Sequence, residues 1–370
     1  MPAGLLVVNT SESWGGNEHW AVRVARGMAD RGLRVRFAWS SDVVGQRVAA
    51  AGLDGVRIRL RGDGDLRGLL RLREEMVRIR ARSVLLTRWR EYLLGGLAAR
   101  VAGRPRVVMG LGLKIVPRAD LKRRLVFALA DRVLVNAPEI RDTLCTRPWI
   151  QPERIDVVIN GVDLERWRPR WQPDRQLAGL EFRRARGIAE SAPLLVTIGN
   201  LTHQKDHANL IAASDLLRDR FPGLRVLVLG EGELRAPLQQ DIDRRGLGAT
   251  VTLAGFVPDP GAALAAADLF VLSSDNEGMA WVLMEAAACG LPTVTTDVSG
   301  ARFCVEEGVT GLVVPPSDPG ALARAVGELL RNAQRREAMG REARALAEAR
   351  VDVERMLDET ADVLFGAPAP

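Results

Sequence analysis

The sequence predicts an α/β protein of two doubly wound, Rossmann-like parallel sheets facing a central cleft. Three observations carry that expectation. The chain has 370 residues, about two domains at roughly 100–200 residues each. Thirteen short apolar runs rich in Val, Ile and Leu are spread along it, the pattern of strands buried on both faces. Longer stretches of helical period lie between those runs, as crossover connections require. Hydrophobic residues at 47% and charged residues at 26% fit a globular chain. No apolar run reaches the ~18 residues of a membrane span.

The elements follow in order. "MPAGLLVVNT" has no basic leader and no cleavage site, and is expected to be the first strand. Residues 16–31 read as a helix, "RVRFAWS" and "VRIRL" as strands, and residues 65–82 as a second helix. "SVLLTR", "RVVMGLG", "RVLVNA" and "IDVVIN" complete a first domain over residues 1–168. The proline-bearing, charged "DLERWRPRWQPDRQ" predicts a linker and a leading helix over 169–187. "LLVTIGN", "RVLVLGE", "TVTLAGF", "LFVLSS", "PTVTTD" and "GLVVPP" are the strands of a second domain over 188–350. The rest is helical to about residue 365, and a C-terminal helix over about 352–370 is expected to cross back to the first domain. There is no internal repeat of 20–50 residues.

The net charge of +6 conceals a division. Up to Arg186 there are 36 Lys plus Arg against 20 Asp plus Glu, a balance of +16; the remainder has 16 against 26, a balance of −10. The basic half points to an anionic partner. Nucleic acid is not expected, because no binding module is present and Tyr92 is the only tyrosine for a stacking platform. Cys145, Cys289 and Cys304 have no metal spacing, and so sparse and odd a set suits a reducing compartment. The expected address is the cytoplasm, extending to the inner face of the membrane.

Ligands of doubly wound sheets bind beyond the carboxyl ends of the strands, where helix N-termini point. Three post-strand loops therefore matter. "NTSESWGGNEHW" sets Gly15 and Gly16 before a helix, where backbone can approach a ligand closely. It is not the G-x-G-x-x-G dinucleotide pattern. "TIGNLTHQKDHANL" places Lys205 near a helix start. Only Lys114, Lys122 and Lys205 are lysine among 52 basic residues, and a compact ammonium meets a phosphate as a point charge. His203 and His207 flank it but are too few to hold a metal. "NEGMAWVLMEAAACGLP" separates Glu277 from Glu285 by eight positions. "DNEG" reads as a turn and "MAWVLMEAAACG" as a helix, so Glu277 lies just before the helix and Glu285 two turns in, about 80° of net rotation apart and within one quadrant near the helix start. Carboxylates accept from sugar hydroxyls, and the N–H groups of Gly278, Met279 and Ala280 suit phosphate. A nucleotide sugar presents both kinds of group.

In these residues the chain resembles a known family. "NEGMAWVLMEAAACGLPTVTTDVSG" looks like the E-x7-E signature of retaining glycosyltransferases of the GT-B fold, within the "glycosyl transferases group 1" family, family four. "GGNEHWAVRVARGMADRGLRV", "VINGVDLERWRP", "LVLGEGELRAPLQ" and "LAGFVPD" stand in that family's order and spacing, so the likeness covers nearly the whole chain. The resemblance implies that Glu277 contacts donor sugar hydroxyls and Glu285 the ribose diol. It gives Lys205 the diphosphate, with Gly15, Gly16 and the amides of Gly278, Met279 and Ala280 completing the cradle. Gly230, Glu231, Phe256 and Val257 would shape the base pocket. It further implies transfer with retention of anomeric configuration, a diphosphate oxygen taking the acceptor's proton, and no metal or other cofactor. The implied partners are a UDP-, GDP- or ADP-sugar and a glycan, lipid-linked or other anionic acceptor, in cell-envelope polysaccharide or glycolipid synthesis.

Two positions depart from the family pattern. Asn200 stands where arginine is usual. The acceptor-side loop, "VMGLGLKIVPRAD", lacks the family's histidine, leaving Lys114 in that loop and His19 in the first as acceptor-side candidates. An epimerase or hydrolase of the same fold, and a weakly catalytic nucleotide-sugar-binding protein, remain alternatives. Two basic stretches, "RADLKRRLVFALADR" and "RGLLRLREEMVRIRAR", are candidates for peripheral contact with anionic membrane.

Overall fold

The computed structural model describes residues 3–112 and 120–366. The chain divides into two compact units. Unit 1 comprises residues 1–160 and 354–370, and unit 2 residues 161–353.

Unit 1 is built on a seven-stranded sheet of order β3-β2-β1-β4-β5-β6-β7. Its strands are β1 Gly4–Asn9, β2 Arg34–Trp39, β3 Gly55–Arg57, β4 Ala81–Leu86, β5 Arg106–Leu111, β6 Arg132–Val135 and β7 Ile155–Val157. Every pairing is parallel. Helices α1 Gly16–Asp30, α2 Asp42–Ala50, α3 Leu66–Arg78, α4 Trp89–Val101, α5 Leu121–Leu129 and α6 Pro138–Cys145 make the crossovers. Each of the seven strands overlaps an apolar run of the sequence, most fully in the inner strands covered on both faces, whereas the edge strands β3 and β7 are half-buried and carry Arg57 and Asp156. Leu5, Leu6, Val7 and Val8 of β1 are all fully buried.

Unit 2 repeats the plan with six parallel strands in the order β10-β9-β8-β11-β12-β13. They are β8 Leu194–Ile198, β9 Arg225–Leu229, β10 Val251–Gly255, β11 Leu269–Leu272, β12 Thr293–Thr296 and β13 Gly311–Val314. The helices are α7 Pro173–Ala185, α8 His207–Leu217, α9 Arg235–Arg244, α10 Gly261–Ala266, α11 Trp281–Ala288, α12 Ala301–Cys304, α13 Pro319–Leu330 and α14 Ala333–Arg350. Residues 161–172 and α7 belong to this unit. Trp167 is 2% exposed, and Arg344 donates to its carbonyl at 2.8 Å. A Cβ on Gly179 of α7 would stand 3.0 Å from the backbone of Ala265, so glycine there lets α7 and α10 pack closely.

The last helix, α15 Val353–Phe365, returns to unit 1. Arg31 at the end of α1 pairs with Glu354 at 2.7 Å and Asp358 at 2.9 Å. A Cβ on Gly27 would meet Leu357 at 2.5 Å, so the glycine gives that leucine its seat. No described helix is long and apolar enough to cross a membrane.

Candidate active site

Both sheets reverse their winding once, between β1 and β4 in unit 1 and between β8 and β11 in unit 2. The loops leaving two such neighbouring strands diverge and open a crevice, the usual ligand position. In unit 2 these loops are residues 199–206 after β8 and 273–280 after β11.

The first loop is shaped by backbone. A Cβ on Gly230, at the end of β9, would lie 1.9 Å from the Gly199 carbonyl oxygen, so only glycine lets the β8 and β9 ends run this close. His203–Lys205 then form a 3-10 turn. Asp206 takes a left-handed conformation, φ 40°, and its carboxylate accepts from Asn209 N–H at 3.2 Å to cap α8. Lys205 therefore lies on the turn before α8, ahead of the helix start expected from the sequence.

Hydrogen bonds stitch this loop to the second. Asp275 N–H donates to the Gln204 carbonyl at 2.9 Å, and Gln204 Nε2 to the Asn276 carbonyl at 2.8 Å. Ser273 Oγ donates to the Lys205 carbonyl at 3.1 Å. The side chains meet as well: Lys205 Nζ lies 2.5 Å from Glu277 Oε1, which also accepts from Ser274 Oγ at 2.8 Å. Glu277 is 6% exposed. A buried carboxylate persists when paired and hydrogen-bonded, and here both conditions hold. All of these bonds fall on Oε1, so Oε2 has no donor among the described residues.

Helix α11 begins at Trp281, with Ala280 as its extended N-cap (φ −74°, ψ 109°). The helix expected to begin at Met279 thus begins two residues later. Glu277 sits four residues ahead of the helix, and Glu285 is its fifth residue. The 275–280 turn folds back to Lys205, and that fold sets the position of Glu277. Gly278, Met279 and Ala280 are buried, and their N–H groups donate to no backbone acceptor among the described residues. Three such amides beside a helix start form a seat for an anion. Glu285 is 8% exposed on α11.

The remaining unit 2 candidates lie at neighbouring strand ends. Asn200 is exposed just beyond β8. Gly230 donates its N–H to the Gly255 carbonyl at 2.8 Å, and the Glu231 carbonyl accepts from Leu201 N–H at 3.0 Å. The Glu231 carboxylate pairs with Arg235 at 3.0 Å. Phe256 follows β10 with 55% of its surface exposed, and Val257 is half-buried. His203 is exposed, whereas His207 is 3% exposed. Burial, and then the Lys205 charge, push the His207 pKa down to about 4 and hold the ring neutral.

In unit 1, Gly15 is the extended N-cap of α1, and its carbonyl accepts from His19 N–H at 3.0 Å. Gly16 is the first residue of that helix. His19 is half-buried, its Nε2 3.2 Å from Arg23 Nη2 and its ring 6.3 Å from Trp14. Lys114 lies outside the described residues, as does Arg118.

Sequence reasoning missed a buried polar cluster at the unit 1 switch point. Glu18, 1% exposed, accepts from Arg88 Nε at 2.8 Å, and Arg88 Nη2 donates to Ser11 Oγ at 3.0 Å. Asn9 Nδ2 donates to Thr87 Oγ1 at 2.9 Å. Glu91 is fully buried beside them and accepts from the N–H groups of Thr10 (2.9 Å), Thr87 (2.5 Å) and Arg88 (2.6 Å). Burial pushes its pKa up to about 7, against the pull of those N–H donors. Only a charged residue placed just after an apolar run hinted at Arg88.

Known proteins supply the remaining findings. The sequence pattern of the family described as "Glycosyl transferases group 1" matches residues 180–346, and that of "Glycosyltransferase Family 4" matches residues 14–166. A D-inositol 3-phosphate glycosyltransferase of Salinispora tropica is 30% identical over 367 residues, covering 88% of this chain and 76% of that protein. The putative glycosyltransferase EpsD of Bacillus subtilis is 28% identical over 287 residues, covering 73% of this chain and 74% of that protein. Among solved structures, Anabaena HepE in complex with UDP superposes with a TM-score of 0.84 at 21% identity, over 97% of this chain and 98% of that one. The sucrose-phosphate synthase of Thermosynechococcus elongatus superposes with a TM-score of 0.78 at 19% identity, over 98% of both chains.

Proposed function

The chain belongs to the glycosyl transferases group 1 family, with the GT-B fold, and is a glycosyltransferase using a nucleotide-sugar donor; from that premise we propose a retaining, metal-independent hexosyl transfer to an anionic acceptor. The observation that carries the reading is the Lys205–Glu277 pair at the unit 2 switch point.

Nucleotide-sugar cleavage builds negative charge on the departing diphosphate. A preorganised cation and free amides stabilise that charge without reorganising. Lys205 supplies the cation, and Gly278, Met279 and Ala280 supply the amides. Glu277 keeps Oε2 for a donor hydroxyl while Oε1 anchors Lys205. Glu285 takes the ribose diol, and Gly230, Glu231, Phe256 and Val257 border the base. A diphosphate oxygen accepts the proton of the attacking hydroxyl, so retention needs no protein nucleophile. The UDP and UDP-glucose bound to Anabaena HepE support a uridine donor. The phosphorylated acceptor in the name of the Salinispora relative, with the +16 balance of the first half, supports an acceptor bearing phosphate. We place that acceptor in cell-envelope polysaccharide or glycolipid synthesis, at the inner face of the membrane.

The test is nucleotide release from UDP-, GDP- and ADP-sugars with and without phosphorylated polyols and lipid-linked glycans, in the presence of EDTA. Release only when an acceptor is present, with an α-linked product from an α-linked donor, is the expected result. Release without acceptor would make the protein a hydrolase. An inverted product would overturn retention, and abolition by EDTA would overturn metal independence.

A further inference from the structure

We infer that unit 1 docks on a bilayer bearing anionic headgroups through the outer face of α3 and the arginine-lined groove before it. This deepens the reading of a membrane-side acceptor and names the surface that meets the membrane.

The sequence offered α5 as well as α3, and the structure leaves less of α5 on its outer face. Val126, Phe127 and Leu129 are core residues, 1%, 8% and 7% exposed. Two of its cations are engaged, Lys122 with Asp63 and Arg123 with Asp120, which leaves Arg124, Leu121 (83% exposed) and Leu125 (45% exposed) outward.

Helix α3 presents a longer outer face beside a denser set of arginines. At 100° per residue, Leu66, Leu70 and Val77 fall within about 40° of one another. They are 71%, 53% and 50% exposed, an apolar row on an outer face that the exposed Arg73 and Glu74 interrupt between Leu70 and Val77. Arg67, Arg71 and Arg78 form a row along one side of it, at about 100–140° from Leu66. Leu72 and Met76 occupy the opposite face, 0% and 1% exposed, so the helix is held to the sheet without the stripe. Turning the stripe inward would expose those two core residues, which fixes the orientation.

The groove adds charge. It encloses about 460 Å³ and is lined by Arg57, Arg59, Arg61, Arg67 and Arg71 around a single acid, Asp65. Asp65 offsets only one of these charges: its carboxylate accepts from the N–H groups of Gly68 (2.9 Å) and Arg61 (3.0 Å), capping α3, and its charge acts on Arg61. Arg57 is occupied with Asp42 at 2.8 Å. Arg59, Arg67 and Arg71 are exposed and have no ion-pair partner among the described residues. A soluble phosphate ester would satisfy the arginines but gives no use to three exposed aliphatic side chains beside them. A phospholipid surface satisfies both, with phosphates in the groove and leucines among the upper acyl carbons.

The experiment is co-sedimentation of the full chain with vesicles of phosphatidylglycerol and phosphatidylcholine, or of phosphatidylcholine alone, at low and high salt. Binding is expected only with phosphatidylglycerol and at low salt. Arg67→Glu/Arg71→Glu should weaken it by roughly 30-fold or more, from the per-residue contribution of surface arginines. Leu66→Ser/Leu70→Ser should weaken it roughly tenfold. These are surface positions, so stabilisation by UDP should be unchanged in every variant. No vesicle binding, or binding indifferent to both variants, would overturn the inference. So would binding that the arginine variant abolishes, the leucine variant spares and inorganic phosphate displaces, because that marks a soluble-phosphate site. Vesicle binding without any UDP stabilisation would leave this surface standing and remove the uridine reading of the donor instead.

Discussion

The ammonium of Lys205 and Oε1 of Glu277, 72 residues apart in sequence, lie 2.5 Å apart across two loops of one sheet. Each side chain holds the other in place, so they should act as a unit. Lys205→Ala is expected to lower kcat by about 10²–10³, the scale for one preorganised charge stabiliser. Glu277→Gln should cost a similar factor. The double variant should lose far less than the product of the two, as coupled residues do. Initial rates at saturating donor measure this, and multiplicative losses would dissolve the unit.

Glu285→Ala should weaken the binding of a nucleoside diphosphate by about 1–3 kcal/mol, the range for a charged hydrogen bond. The fold should persist, because Leu283, Met284, Ala286 and Ala288 keep α11 on the core. Titration calorimetry with UDP decides it. Unchanged affinity removes Glu285 from the ribose.

His207 gives a pH-dependent stability. Its folded pKa is about 4 against an ordinary 6.5. Between those values the unfolded chain binds a proton that the folded chain refuses. Stability is therefore full above pH 6.5 and declines as pH falls toward 4, by on the order of 3 kcal/mol. Urea midpoints for the native protein and His207→Leu, compared at pH 7 and pH 5, should show the native protein losing more. The comparison between the two proteins isolates His207 from Glu91, whose raised pKa acts in the opposite sense between pH 4.5 and 7.

Glu91→Gln should destabilise unit 1 by about 1–3 kcal/mol. Both carboxylate oxygens accept from backbone N–H groups, and an amide would turn an NH2 group toward one of those donors. Thermal unfolding at pH 7.5 is the measurement, and a variant as stable as the native protein would contradict the bonding pattern.

The thirteen strands were legible because burial on both faces writes itself into the sequence as apolar runs. Lys205 was legible because lysine is rare here, and the paired glutamates because of their family spacing. The start of α11 was not. "MAWVLMEAAA" has helical composition throughout, yet Gly278 to Ala280 are held out of the helix by the tertiary setting, with the Gly278 carbonyl against Gly300, where a Cβ would come within 2.6 Å. The Glu18–Arg88 pair was illegible for another reason. It joins residues 70 positions apart that belong to no local pattern, and only the sheet order makes them neighbours. The outer stripe of α3 was half visible: its period showed in the sequence, but which of two apolar arcs faced the core did not.

The return of α15 to unit 1 bears on how the protein is made. Synthesis proceeds from the N-terminus, and domains usually fold in that order. Here residues 161–353 separate α15 from the rest of its unit. Unit 2 is contiguous and can complete its core without α15. Unit 1, although begun first, waits with the Gly27 seat empty and Arg31 without Glu354 and Asp358 until residues 354–365 emerge. The half that starts first is thus finished last, and a nascent chain stalled in α14 would hold an exposed seat for α15 on an otherwise formed sheet.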